Sequence, residues 1–242
     1  MKKNISNLVF LHGWGGCWQS WFPIIKALEK DYAIFAPDLP GHGQEKIEKA
    51  LNLSDYSNFV KKYLEKNKIK NPILIGHSFG GAIICDLLVK NPDISSKIIL
   101  VDAAPIRPIP SHKQKMILFA SQSIKKIFSL PLLKPFFQKT RQFAYRIIGL
   151  TNSDYYSIQN PLLKQTFSTI IREDLTDKLA NIKAKTLIIW GEKDFSTPLY
   201  QGQKINELLP NSKLIIIPGA GHFSYLDNQS QFITEIKNFI EK

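Results

Sequence analysis

Residues 73–89 run Ile73-Leu74-Ile75-Gly76-His77-Ser78-Phe79-Gly80-Gly81-Ala82-Ile83-Ile84-Cys85-Asp86-Leu87-Leu88-Val89. A short aliphatic run, a Gly-x-Ser-x-Gly pentapeptide and a longer apolar run predict a strand, a sharp turn and a helix, in that order. A serine on such a turn is forced into a strained backbone conformation, and glycines two positions to either side remove the Cβ atoms that would collide there. Its hydroxyl then stands above the sheet at the positive end of a helix. A serine hydroxyl is a weak nucleophile at neutral pH; it needs a base, and the base needs an acid to orient it.

Moving outward, His222 in Pro218-Gly219-Ala220-Gly221-His222-Phe223 follows the last apolar run, and Asp194 in Trp190-Gly191-Glu192-Lys193-Asp194 follows the run before it. Loops at the carboxyl ends of strands open onto the ligand-binding edge of an α/β sheet. Ser78, Asp194, His222 is therefore the expected nucleophile, acid and base, in the chain order of an α/β-hydrolase triad. Asp102, in Val101-Asp102-Ala103-Ala104-Pro105, also follows a strand and stays open as an alternative orienting acid. An oxyanion needs two donors: the backbone N–H of Phe79 is one, and Trp14, in the glycine-rich His12-Gly13-Trp14-Gly15-Gly16 after the first strand, is expected to supply the other. Asp38 and His42, in Pro37-Asp38-Leu39-Pro40-Gly41-His42-Gly43, are expected to tie their own loop. His77 is expected to shape the turn and His112 to cap a helix or face solvent.

The flanking pattern agrees. Six short β-branched or aliphatic runs, Leu8 to Leu11, Tyr32 to Phe35, Pro72 to Ile75, Lys97 to Val101, Thr186 to Trp190 and Lys213 to Ile217, mostly alternate with helical patterns such as Trp21, Ile24, Ile25, Leu28. This is the signature of an α/β fold with a mainly parallel sheet flanked by helices. The alternation breaks between Val101 and Thr186, where six prolines punctuate helical patterns with no strand between them. Residues 105–172 are accordingly expected to form an inserted all-helical cap, with residues 1–104 and 173–242 as the core of one domain. Apolar aromatics of the cap, Phe119, Phe128 and Phe143, together with Trp14 and Trp18, are the expected substrate-binding residues.

Among 242 residues there are 32 Lys and Arg against 20 Asp and Glu, a net charge of +12. The excess is concentrated: residues 105–172 hold 11 basic side chains, including all four arginines, against the single acid Asp154. Such a segment suits an acidic carrier protein or another anionic surface, with a solvated lysine-rich surface as the plainer alternative. A nucleic acid is not expected, since no nucleic-acid motif is present. Cys17 and Cys85 have neither disulfide-framework nor metal spacing and read as reduced packing residues. No His, Cys and Asp cluster implies a metal, and no cofactor is expected. No apolar run reaches the 18 or so residues of a membrane span, and the first is cut too early by His12 and Gly13 for a signal peptide, so a cytoplasmic protein is expected.

On the motifs at 12–15, 37–43, 76–81, 191–194 and 219–222, the chain resembles the α/β-hydrolase superfamily, in its helical-cap form, nearly end to end. The resemblance implies a lid over the serine. With seven residues before Leu8, the sheet is expected to lack the first strand pair that many members carry. Ser rather than Asp at position 78 argues against haloalkane dehalogenases and epoxide hydrolases. The expected activity is carboxylic ester hydrolysis. The alternatives are a pimeloyl carrier-protein methyl ester esterase, whose His-Gly-Trp-Gly loop and basic cap are similar; a carbon–carbon bond hydrolase or cofactor-free haloperoxidase; and a hydrolase-like receptor that binds a small ligand without turnover.

Overall fold

All six apolar runs become strands of one wholly parallel sheet. In the computed structural model, which describes residues 6–107 and 158–241, β1 (Asn7–Leu11), β2 (Ala33–Phe35), β3 (Ile73–His77), β4 (Lys97–Val101), β5 (Lys185–Gly191) and β6 (Ser212–Ile217) lie in the order β2-β1-β3-β4-β5-β6. The helices are α1 (Phe22–Leu28), α2 (Leu53–Lys66), α3 (Phe79–Lys90), α4 (Pro161–Ile170), α5 (Leu199–Leu208), α6 (Ser224–Asp227) and α7 (Gln229–Glu241). Phe119, Phe128, Phe143, His112 and most of the basic segment lie outside the described residues.

Side chains alternate across a strand, so a run that is apolar throughout must feed a core on each face. Val9, Leu11, Leu74, Ile98, Leu100 and Ile188 enter one core with Tyr56 and Val60 of α2, Ile83 and Leu87 of α3 and Ile205 of α5. Leu8, Phe10, Ile75, Ile99, Val101 and Ile189 enter the other with Ile24 and Leu28 of α1 and Phe232 and Ile236 of α7. Local signals start the helices where the packing needs them. Asn52 and Asp55 cap α2 reciprocally, each side chain accepting the other's N–H at 2.9 and 3.0 Å. Asn160 caps α4, with Pro161 at its first position.

Two features of the topology position the site. The chain runs from β1 outward to β2 and then crosses back over β1 to β3, so the loops after β1 and β3 leave in different directions and open a crevice between them. The β3–β4 register pairs His77 with Val101, which sets the next residues, Ser78 and Asp102, side by side.

The described residues between β4 and β5 pack directly on α2 and the loop before it. Leu51 N–H donates to the Thr166 hydroxyl at 2.9 Å and Leu53 N–H to the Glu173 carboxylate at 3.0 Å. Arg107, a basic residue of the same stretch, bonds through its guanidinium to the carbonyls of Ile170, at 3.0 Å, and Glu173. Among the described residues no helix is long and apolar enough to cross a membrane.

Candidate active site

Ser78 leaves β3 with φ 50° and ψ −111°, a left-handed conformation that costs a side-chain-bearing residue energy. Hydrogen bonds over-determine it. Its N–H donates to Val101 O at 2.9 Å, and its carbonyl accepts from Gly81 N at 3.1 Å and Ala104 N at 3.0 Å. The glycines act as expected: a Cβ on Gly76 would stand 2.6 Å from the Gly80 backbone, and one on Gly80 2.4 Å from Leu11 O. Ser78 is half-buried. Phe79 opens α3, at a position whose N–H has no partner within a helix.

His222 and Asp194 meet. The Nδ1 of His222 lies 2.8 Å from Asp194 Oδ2. The other carboxylate oxygen accepts the N–H groups of Ser196 at 2.8 Å and Thr197 at 2.9 Å. Burial by itself would raise the Asp194 carboxyl, but hydrogen bonds from His222 and Thr197 outweigh it and hold the group below the usual carboxylate value. An ionised Asp194 makes Nδ1 the protonated nitrogen and leaves Nε2 to accept a proton. Among the described residues no hydrogen bond closes between the Ser78 hydroxyl and that ring; such contacts commonly tighten only when substrate is bound.

The loop after β1 abuts the serine. A Cβ on Gly13 would come within 2.7 Å of His77 Nδ1 and 3.3 Å of Ser78 Cβ. The turn closes from Gly16 N to Gly13 O at 3.1 Å, a bond that leaves the Trp14 N–H out. Fully buried His12 supports the loop from below: its Nε2 accepts Leu39 N–H at 3.0 Å, so its Nδ1 carries the proton and donates to Gly13 O at 2.8 Å. Burial drives His12 down to about 4, leaving it neutral near pH 7.

The two tryptophans part company. Trp14 packs its ring on Phe79, His42 and Phe167 of α4, at centroid distances of 5.6, 4.8 and 5.0 Å, on the serine side of the crevice. Trp18 turns its ring toward Phe22 at 6.4 Å and joins the core on the opposite face of the sheet, its backbone N–H held by Asp38 Oδ1 at 2.8 Å. His42 serves its own loop, its Nδ1 donating to Pro40 O at 3.1 Å, whereas Asp38 joins two loops, accepting Gln44 N–H at 2.9 Å in its own as well as the Trp18 N–H in the loop after β1.

Asp102 does not orient the ring. Fully buried, it accepts Gly191 N–H at 2.7 Å and the Ser224 hydroxyl at 2.5 Å. Two supporting contacts escape the sequence reading. The Thr197 hydroxyl lies 2.7 Å from Asp194 Oδ2 and 3.3 Å from His222 Nδ1; an Asp followed at the third position by Thr is its one local signal, that of a side chain folding back on its own turn. His77 donates from Nε2 to the carbonyl of His222 at 2.8 Å, and burial together with His222 drives its ring down to about 3. Among the described residues no group of three or more His, Cys, Asp or Glu is placed to hold a metal ion.

The profile of the alpha/beta hydrolase family matches residues 8–235, and the chain belongs to that family. It is similar to the pimeloyl-[acyl-carrier protein] methyl ester esterase of Wigglesworthia glossinidia brevipalpis, at 30% identity over 248 residues covering 98% of this chain and 94% of that one. A protein of the same description from Aliivibrio salmonicida is 24% identical over 252 residues, covering 98% and 92%. Among solved structures the fold is shared with an esterase from Exiguobacterium antarcticum, with a TM-score of 0.75 at 22% identity over 98% of this chain and 92% of that one. A hydrolase from Pseudomonas aeruginosa PA01 shares it with a TM-score of 0.74 at 18% identity over 98% and 91%.

Proposed function

We propose that the protein is a serine hydrolase of carboxylic esters that works through an acyl-enzyme on Ser78. The observation that carries this reading is the 2.8 Å His222–Asp194 pair, in loops of the same sheet edge as the strained Ser78. His222 Nε2 takes the hydroxyl proton as Ser78 Oγ bonds to the ester carbonyl carbon, and the resulting oxyanion is received by the N–H groups of Trp14 and Phe79. The intermediate collapses by releasing the alkoxide, which His222 protonates. A water, deprotonated by the same ring, then frees the acid and restores Ser78. Residues 105–172 act as the cap, which the packing of Phe167 on Trp14 supports.

Turnover of p-nitrophenyl esters from acetate to palmitate, with stoichiometric labelling of Ser78 by a fluorophosphonate, tests the reading. Absence of both would sink it, and labelling without turnover would favour the receptor. Within this activity, a methyl ester on an acidic acyl carrier protein is the more specific substrate we propose. It is favoured by the 30% identical relative and by the 11-to-1 excess of basic residues in the insertion.

A further inference from the structure

Ser78 and Asp102 form a pair of strained strand ends. Each is the first residue past its strand, and each has a left-handed backbone, φ 50° and φ 46°, which a protein retains only where surrounding contacts over-determine it. The serine's peptide brackets Asp102: Ser78 N–H donates to Val101 O, immediately before it, and Ser78 O accepts Ala104 N–H, two residues after it. The Asp102 carboxylate meanwhile bonds to the loops of the acid and the base, at Gly191 and Ser224.

We propose that Asp102 is a positioning residue, which ties the loop carrying His222 to the serine turn through Ser224, while Asp194 alone orients the His222 ring. This rests on the reading of Ser78, His222 and Asp194 given above.

Every polar atom of Asp102 is employed in the tie. Its N–H donates to Ile189 O at 3.0 Å. One carboxylate oxygen accepts Gly191 N–H at 2.7 Å, at the end of β5; the other accepts both the hydroxyl and the N–H of Ser224, at 2.5 and 3.3 Å, two residues past His222. Its backbone carbonyl lies 3.1 Å from the Thr197 hydroxyl, which also reaches Asp194 and His222. From the other side, His77 holds the His222 carbonyl. The base is thus pinned by its ring, by its own carbonyl and, two residues on, by Ser224.

A carboxyl group is an expensive part for a merely structural link, since burying its charge costs free energy that a neutral amide would not. Burial raises Asp102 to about 7 even though Ser224 and Gly191 hydrogen-bond to it, and the nearby Asp194 charge pushes in the same direction. A carboxylate does give what an amide cannot, acceptors on both oxygens for the three donors that converge there.

The test pairs Asp102→Asn with Ser224→Ala. Asparagine has the same shape and tolerates a positive φ; it can keep the Gly191 bond, but its NH₂ group faces the Ser224 N–H. Ser224→Ala removes only the hydroxyl and remains informative if the first variant folds poorly. Three readouts are taken at pH 8: kcat and KM on a p-nitrophenyl ester, the exchange-protected Nδ1 proton of His222 by NMR, and the urea midpoint.

Each variant should lose about 10- to 100-fold in kcat with KM within about threefold, the usual cost of a small displacement of catalytic groups. The double variant should be no worse than Asp102→Asn alone, and the Nδ1 signal should broaden in each. Unchanged kcat and an unchanged signal in both variants would overturn the proposal. So would a loss of activity that merely tracks unfolding, or an Asp194→Asn variant that stays active while Asp102→Asn does not. If the wild type neither turns over esters nor labels at Ser78, the proposed function fails, and the Nδ1 signal still decides whether Asp102 holds His222 in place.

Discussion

On the proposed mechanism, removing the Ser78 hydroxyl separates nucleophilic catalysis from what the oxyanion donors and binding supply alone. Ser78→Ala should keep the urea midpoint of the wild type and lose roughly a thousandfold or more in kcat/KM, and His222→Ala should match it because the two act as one unit. Asp194→Asn should be milder, still about a hundredfold or more, because an amide cannot stabilise the imidazolium that forms. Thr197→Val keeps the side-chain shape and deletes one of the bonds that hold Asp194 ionised; with a charged partner, a loss of roughly 3- to 30-fold in kcat is expected. The candidate residues Ser78, Asp194 and His222 stand out in the sequence because each follows its own strand, and strand ends are visible in one dimension. The ties behind them are not. Asp102 reaches Gly191 across 89 residues and Ser224 across 122, and those meetings are set by strand order and register, which no local pattern encodes.

The loops behave as elements whose packing and protonation act together. A methyl group at Gly13 would meet His77 Nδ1 at 2.7 Å, and His77 can retreat only by giving up its bond to the His222 carbonyl. Gly13→Ala should therefore cost about 1–3 kcal/mol of stability, as overpacking does, together with a fall in kcat larger than that of an exposed Gly→Ala control. His12 and His77 are neutral in the fold because burial lowers them from 6.5 to about 4 and about 3. The unfolded chain takes up those protons first, so stability should decline as pH drops from about 6.5 toward 4. Asp102 opposes this: raised from 3.8 to about 7, it binds its proton more readily in the fold and adds stability over the same descent. Urea midpoints at pH 7.5, 6 and 4.5 check the sum; a midpoint that does not fall would overturn it. Asp102→Asn should make the decline steeper. At this scale the strands are legible to within two residues, because the central strands, buried on both faces, are almost wholly apolar and the edge strands β2 and β6 carry similar short aliphatic runs. The side of the sheet that each helix covers is not, which is how Trp14 and Trp18, four residues apart, come to pack with opposite cores.

Across the whole molecule the charge is unevenly divided, and that division can be tested. Of the 11 basic residues in 105–172, Arg107 bonds to backbone carbonyls at and just past the end of α4. Eight others fall within 108–157, where Asp154 is the single acid. A lysine-rich surface that served only solubility would act alike on every substrate. One that receives an acidic carrier would raise association with that carrier alone, and the effect would fade as salt shortens the reach of exposed charge, about 8 Å at physiological ionic strength. The comparison is kcat/KM for a neutral methyl ester and for the same acyl methyl ester on an acyl carrier protein, at low and high salt. It is made in the wild type and in a variant with Lys125, Lys126, Arg141 and Arg146 changed to Gln. For the carrier-borne ester kcat/KM should drop roughly tenfold or more with salt or with the four substitutions, as electrostatically steered encounters do; for the neutral ester it should hold within about twofold. Equal salt dependence for both substrates, with the variant treating them alike, would assign the charge to solubility and remove the carrier protein from the proposed function, while leaving ester hydrolysis by Ser78 untouched.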